Sequence, residues 1–150
     1  MRTGDLAPDF TLTDNQGQRF TLSQALSHGP VVLFFYPAAM SRGCTKESCR
    51  FRDLASEFAV YDAQRVGISM DDQERQAKFA STNALDYPLL ADEGGAVASL
   101  YGVKRSVDLL RVRRATFVIG TDRRIIEKIS SELAMEVHAN RALAALAARA

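Results

Sequence analysis

The chain has 150 residues, 47% of them hydrophobic and 25% charged, and a formal net charge of +1. This is globular composition at the size of one ordinary domain, able to bury roughly two-thirds of its unfolded surface, so disorder and dependence on staples are excluded. The balanced charge argues against a global attraction to nucleic acid or an anionic membrane, and no apolar run is long enough to span a bilayer. Met1 to Phe10 carries Asp5, Pro8 and Asp9 and no apolar segment. It does not read as a signal peptide, and a cytoplasmic address is expected.

Phe10-Thr11-Leu12-Thr13 and Arg19-Phe20-Thr21-Leu22 alternate about Asp14-Asn15-Gln16-Gly17, which predicts a hairpin. Val31-Val32-Leu33-Phe34-Phe35-Tyr36 is an unbroken β-branched and aromatic run ended by Pro37, and predicts a central strand covered on both faces. Residues 44–60 have helical period, with Phe51, Leu54, Ala55 and Phe58 on one face. Arg65-Val66-Gly67-Ile68-Ser69 predicts a second strand. Asp71 and Asp72 can cap a helix running from Gln73 to Thr82. Tyr87-Pro88-Leu89-Leu90 reads as a short extended piece, and Gly94-Gly95 introduces a helix ending near Tyr101-Gly102. Ala115–Ile119 and Arg124–Ile129 predict two strands about a turn at Gly120-Thr121-Asp122-Arg123, and the Ala-rich tail from Glu132 closes the chain as a helix. Alternation of this kind makes a layered α/β domain spanning residues 1–150, without fixing strand order.

Two cysteines, Cys44 and Cys49, remain to be explained. Cys44 falls in the first turn of the predicted helix, where unpaired N–H groups and the helix dipole favour an anion. A thiolate is such an anion and is the reactive form of cysteine. Ser41, three residues upstream, can bring its hydroxyl to the sulfur or to a bound substrate. The loop also follows the C-terminal end of a central strand, where α/β sheets build sites. At 100° per residue, Cys44 lies within about 30° of the centre of the buried face, whereas Cys49 lies about 170° away. Five residues advance about 7.5 Å along a helix. Disulfide Cα atoms must lie within about 7 Å, so the two cannot bond while the helix is intact. The competing reading is that Cys44 is a small buried hydrophobe and Cys49 a surface accident. Zinc binding is disfavoured, because His28 and His138 are distant in sequence and no second cysteine pair exists.

Tyr36-Pro37-Ala38-Ala39-Met40-Ser41-Arg42-Gly43-Cys44-Thr45-Lys46-Glu47-Ser48-Cys49 resembles the active-site loop of the peroxiredoxins. The cysteine spacing is similar to that of the bacterioferritin comigratory protein (BCP, or PrxQ) subfamily. Gly4-Asp5-Leu6-Ala7-Pro8-Asp9-Phe10, Val66–Asp71, Tyr87–Asp92, Tyr101-Gly102-Val103 and Arg114–Ile119 resemble further family segments in register, so the likeness covers nearly the whole chain.

The resemblance implies a thioredoxin-like fold, a central mixed sheet flanked by helices with an N-terminal hairpin, and a cofactor-free, metal-free thiol peroxidase. It implies that Cys44 is the peroxidatic cysteine, Cys49 the resolving cysteine and Arg114 the active-site arginine. Pro37 then shapes the pocket and Ser41 supplies a hydroxyl. Glu47, about 60° from Cys44 on the helix, polarises Arg114, handles a proton, or is merely a solvated first-turn carboxylate. The implied substrates are hydrogen peroxide and organic hydroperoxides. The implied partner is a thioredoxin-like reductant, with no nucleic acid or membrane partner, and the expected state is a monomer or weak homodimer. The alternative is a peroxide-oxidised redox sensor or partner-binding module on the same fold. Ser41 stands where the family more often has Thr, Arg42 where it often has Pro, and Thr121-Asp122-Arg123 lacks the usual Gly.

The run from Lys104-Arg105 to Arg111-Val112-Arg113-Arg114 reads as a solvated loop with one inward arginine rather than a nucleic-acid patch. His28 and His138 are expected at the surface. Leu133, Val137, Leu143 and Leu146 are expected to pack the tail on the sheet, the alternative being a dimer contact.

Overall fold

The computed structural model describes residues 1–105, 112–132 and 134–149. The N-terminal alternation forms the expected hairpin. β1 (Thr11–Thr13) pairs antiparallel with β2 (Arg19–Thr21), with Leu12 opposite Phe20. Asp14 closes the turn, its Oδ1 accepting from the N–H groups of Gln16 and Gln18. A short α1 (Leu22–Ala25) follows.

The apolar run becomes β3 (Val31–Phe35), buried at every position. It contains no polar side chain to present to water, so both of its faces must be covered. Val31, Leu33 and Phe35 enter one core with Phe10, Tyr101 and Phe117. Val32 and Phe34 enter a second core with Cys44, Phe51, Phe58 and Phe79. The period of two thus divides one strand between two layers.

The helix predicted over 44–60 starts earlier and is broken. α2 (Arg42–Asp53) and α3 (Ala55–Ala59) meet at Leu54, whose φ of −98° and ψ of 21° leave the helical region. Phe51 and Phe58 still share the buried face, with ring centroids 5.8 Å apart. The next strand, β4 (Gln64–Ser69), sends Arg65 to donate to the Phe51 carbonyl at 3.0 Å. A side chain drawn to a carbonyl of the helical ladder is one recognised cause of a kink.

α4 (Gln73–Thr82) is capped by Asp72, whose Oδ1 accepts from the Arg75 N–H at 2.9 Å. Asp71, the other expected cap, is buried and serves the loop described below. β5 (Leu89–Ala91), a 3-10 turn at Glu93–Gly95 and α5 (Ala96–Leu100) follow. β6 (Ala115–Ile119) and β7 (Ile125–Ser130) form the second expected strand pair, and the tail helix α6 (Met135–Arg149) begins three residues later than the sequence suggests.

The sheet order is β5-β4-β3-β6-β7. β3, β4 and β5 run parallel, and β6 is antiparallel to both β3 and β7. This is the central mixed sheet of the expected thioredoxin-like architecture. Its register decides where the site lies. Phe35 pairs with Ala115, so the chain leaving the end of β3 runs beside the chain entering β6. Arg114 is thereby delivered to the loop that carries Cys44. Residues 106–111 of the basic run, and Leu133 of the tail, lie outside the described residues. No helix among the described residues is long and apolar enough to cross a membrane.

Candidate active site

Between β3 and α2 the chain must turn from a buried strand into a helix, and its N–H groups need acceptors. Asp71 supplies one, its Oδ2 accepting from the Ala39 N–H at 2.7 Å and from the Ser69 hydroxyl at 2.6 Å. Arg75 donates to the other carboxylate oxygen at 3.1 Å. This carboxylate pins the loop to the end of β4. Pro37 is buried, whereas Met40 is 41% exposed and takes a φ of 72° at the loop tip.

Ser41 is the N-cap of α2, its Oγ accepting from the Cys44 N–H at 3.3 Å and donating to the Ala38 carbonyl at 3.0 Å. The hydroxyl expected to reach the sulfur is therefore bonded to the backbone N–H of the same residue. Cys44 sits in the first turn with no exposed surface. Arg114 Nη2 donates to its Sγ at 3.2 Å. Gly43 makes room for this approach, since a Cβ there would lie 3.3 Å from Arg114 Nη2 and equally close to Met135 Cε.

Arg114 is 5% exposed. Its second arm, Nη1, donates to Glu47 Oε1 at 2.7 Å, and its backbone N–H donates to Glu132 Oε1 at 3.1 Å. The fork of the guanidinium suits two acceptors at once. Burial opposes its charge, but Glu47 and Cys44 hold its pKa above the ordinary value.

Glu47 is fully buried, which corrects the alternative of a solvated first-turn carboxylate. The signal was available, because Glu47 lies about 30° from the centre of the buried face of the helix. Burial pushes its carboxyl up to about 8, against the opposing pull of Arg114. Its Oε2 has no hydrogen-bond partner among the described residues.

The expectation that His138 lies at the surface is wrong. It is fully buried on α6 with Ala139, Ala142 and Leu146. The spacing 138, 142, 146 marks a helical stripe, which was the missed sequence signal. The ring lies between Thr116 Oγ1, 2.8 Å from Nδ1, and the Ser131 carbonyl, 2.8 Å from Nε2. Its Nδ1 is 3.6 Å from Glu47 Oε2. Burial holds its pKa below the ordinary value, and Arg114 adds to that effect. His28 is exposed, as expected.

Cys49 is half-buried on the opposite side of α2, its thiol directed at Asn83 Oδ1 at 3.8 Å. Both cysteines are free, and the helix between them is continuous. Its later turns are held by tertiary bonds. The Tyr87 hydroxyl donates to the Ser48 carbonyl at 2.8 Å, and Arg52 donates to the Asn83 carbonyl at 2.8 Å.

Residues 3–128 match the AhpC/TSA family. The chain is similar to peroxidoxin BcpB from Mycobacterium tuberculosis, whose crystal structure superposes with a TM-score of 0.95 at 57% identity, covering 99% of this chain and 97% of that one. Peroxiredoxin Q of Xanthomonas campestris, solved as a cysteine-to-serine mutant, superposes with a TM-score of 0.86 at 27% identity over 94% of this chain and 92% of that one. The chloroplastic peroxiredoxin Q of Gentiana triflora is 38% identical over 116 residues, 77% of this chain and 53% of that protein.

Proposed function

The chain belongs to the AhpC/TSA family and, within it, to the peroxiredoxins of the BCP/PrxQ type, and from that premise we propose that it is a thiol peroxidase acting through Cys44. A peroxidase role in antioxidant defence follows from the family. The observation that carries the assignment is the 3.2 Å contact of Arg114 Nη2 with Cys44 Sγ at a capped helix N-terminus. A buried sulfur met by a guanidinium and a helix start is an environment for an anion.

In the proposed reaction the Cys44 thiolate attacks the terminal oxygen of a peroxide. The S–O bond forms as the O–O bond breaks. The remaining oxygen leaves as hydroxide or alkoxide and takes a proton from solvent, giving water or alcohol. Arg114 stabilises the negative charge as it moves from sulfur to the departing oxygen. Because Cys44 has no exposed surface, the groups packed around it shift to admit peroxide to the sulfur. The product is Cys44 sulfenic acid. The Cys49 thiolate then attacks that sulfur and expels the oxygen, which is protonated to water, leaving a Cys44–Cys49 disulfide. A thioredoxin-like dithiol returns two electrons by exchange. Such recycling suits a reducing compartment, the cytoplasm.

Stopped-flow mixing of reduced protein with hydrogen peroxide and with an organic hydroperoxide, followed by turnover with a panel of dithiol reductants, tests this reading. Fast oxidation and sustained turnover are expected. Fast oxidation of Cys44 with slow turnover under every reductant would favour the redox sensor instead.

The resolving step carries its own expectation. Cys49 faces Asn83 across an intact helix, so the disulfide requires the first turns of α2 to unwind. Oxidised protein is expected to run as a monomer on non-reducing gels and to lose amide protection over residues 44–50. Covalent dimers would assign resolution to a second molecule.

A further inference from the structure

A Cys44–Cys49 disulfide needs α2 to open, and the two halves of α2 are held differently. The first half hangs on the site itself. Ser41 Oγ meets the Cys44 N–H at 3.3 Å, Arg114 bonds Cys44 Sγ and Glu47 Oε1, and the Lys46–Glu136 pair is exposed. Oxidation puts an oxygen on a sulfur with no exposed surface, so the Arg114 contact must rearrange at that moment. The second half is fastened to elements that take no part in the chemistry. Tyr87 donates to the Ser48 carbonyl at 2.8 Å, Arg65 to the Phe51 carbonyl at 3.0 Å and Arg52 to the Asn83 carbonyl at 2.8 Å. The Phe51 ring stacks on Phe34 of β3 with centroids 4.2 Å apart.

Ser48 lies at the join. It is fully buried, and its Oγ has no hydrogen-bond partner among the described residues. A buried hydroxyl without a partner is a cost in the intact helix. Each helical N–H bonds the carbonyl four residues back. When residues 42–47 leave the helix, the N–H groups of residues 48–51 lose their acceptors, while Arg52 keeps the Ser48 carbonyl. Serine at that place is an N-cap by residue type. Ser41 already caps α2 by accepting from the N–H three residues on, and Ser48 stands to Phe51 as Ser41 stands to Cys44. Phe51 has no exposed surface, so its N–H is poorly placed to turn to water instead. Rotation about the Ser48 dihedrals swings the preceding chain and leaves the carbonyl held by Tyr87 in place.

We propose that Ser48 is the positioning residue of the resolving step: a second N-cap, idle in the reduced protein, that ends the unwinding of α2 by accepting the Phe51 N–H on its Oγ. This rests on the assignment of Cys49 as the cysteine that attacks Cys44 sulfenic acid in the same molecule. Cys44 is then the sulfur that travels, and Cys49 becomes the first residue of a shortened helix. The Cys49 thiolate forms the S–S bond as the S–O bond breaks, and the oxygen leaves as hydroxide and is protonated to water. The competing event is attack of the Cys44 sulfenate on a second peroxide. It forms a second S–O bond, breaks the O–O bond and leaves sulfinic acid with water or alcohol. The cap lowers the free energy of the opened chain and so favours the disulfide.

Two measurements on the full-length protein test this. Amide exchange of the oxidised protein is read residue by residue by NMR, and the ratio of sulfinic acid to disulfide is read by mass spectrometry during a peroxide titration. In the wild type, protection is expected to be lost through Arg50 and kept at Phe51 and Arg52. Ser48→Thr and Ser48→Val share one shape and a similar helix propensity, and only threonine carries a capping oxygen. Both are expected to keep the parental rate of Cys44 oxidation. Threonine is expected to resolve as serine does. Valine is expected to resolve about fivefold more slowly, the usual worth of an N-cap oxygen. Its ratio of sulfinic acid to disulfide is expected to rise by the same factor, and its Phe51 amide to exchange once oxidised.

A wild-type intramolecular disulfide whose Phe51 amide exchanges as freely as residues 44–50 would overturn the proposal even if no variant folds. So would equal resolution rates in Ser48→Thr and Ser48→Val. Fast Cys44 oxidation that yields only covalent dimers, or no disulfide, would instead remove the intramolecular resolution beneath it.

Discussion

Cys44→Ser is expected to lose at least about a thousandfold in peroxide oxidation, the largest effect of any single substitution in this protein. Serine preserves the geometry closely. Its hydroxyl can accept from Arg114 Nη2, now 3.2 Å from the sulfur, and it keeps the backbone N–H that bonds Ser41 Oγ. What it cannot do is the chemistry. An alkoxide is not formed at neutral pH, and oxygen has no counterpart of the stable sulfenic acid to carry the transferred atom. The loss should therefore appear in the oxidation rate rather than in folding. Stopped-flow rates beside a denaturation midpoint separate the two. A serine variant that keeps the parental rate with an unchanged midpoint would end the assignment of Cys44.

Arg114→Leu is expected to slow the same step by about 10²–10³-fold, the usual cost of removing one preorganised donor from charge developing in a buried site. The protein should nevertheless fold. Removing one partner of a buried ion pair ordinarily leaves an uncompensated charge. Here the partner left behind is Glu47, whose carboxyl is already pushed up to about 8 by burial. Without Arg114 it can remain protonated and neutral over a wider pH range. Arg114→Lys should fall between leucine and the parent. A single ammonium can approach Cys44 Sγ or Glu47 Oε1 but does not reproduce the two parallel arms, which now lie 3.2 Å and 2.7 Å from those atoms. Parental oxidation kinetics in Arg114→Leu would show that the guanidinium near the sulfur is structural.

Short-range patterns account for the local features of this site. The apolar run at 31–36 predicts a strand buried on both sides, and Val31–Phe35 is that strand. The period of Phe51 and Phe58 places Cys44 on the buried side of α2 and Cys49 away from it, as observed. Asp72 before Gln73 is a cap by residue type alone. Each depends on backbone periodicity or a hydrogen bond closed within one turn, so neighbouring residues determine it. The family motif around Pro37, Ser41 and Cys44 is likewise contiguous.

The charge chemistry of the site was decided by the tertiary structure. Arg114 is 70 residues from Cys44 and 67 from Glu47, and its place was expected only through resemblance. The antiparallel register of β3 with β6 brings it beside the helix start. Periodicity identifies the face of a helix that is buried, but not the group that awaits it there. Glu47 and His138 both occupy buried stripes, and an isolated carboxylate or imidazole would be expelled from such a position by its desolvation. They stay because α2, β6 and α6 converge to give each of them polar neighbours, and that convergence is a property of the packed sheet rather than of any segment in it.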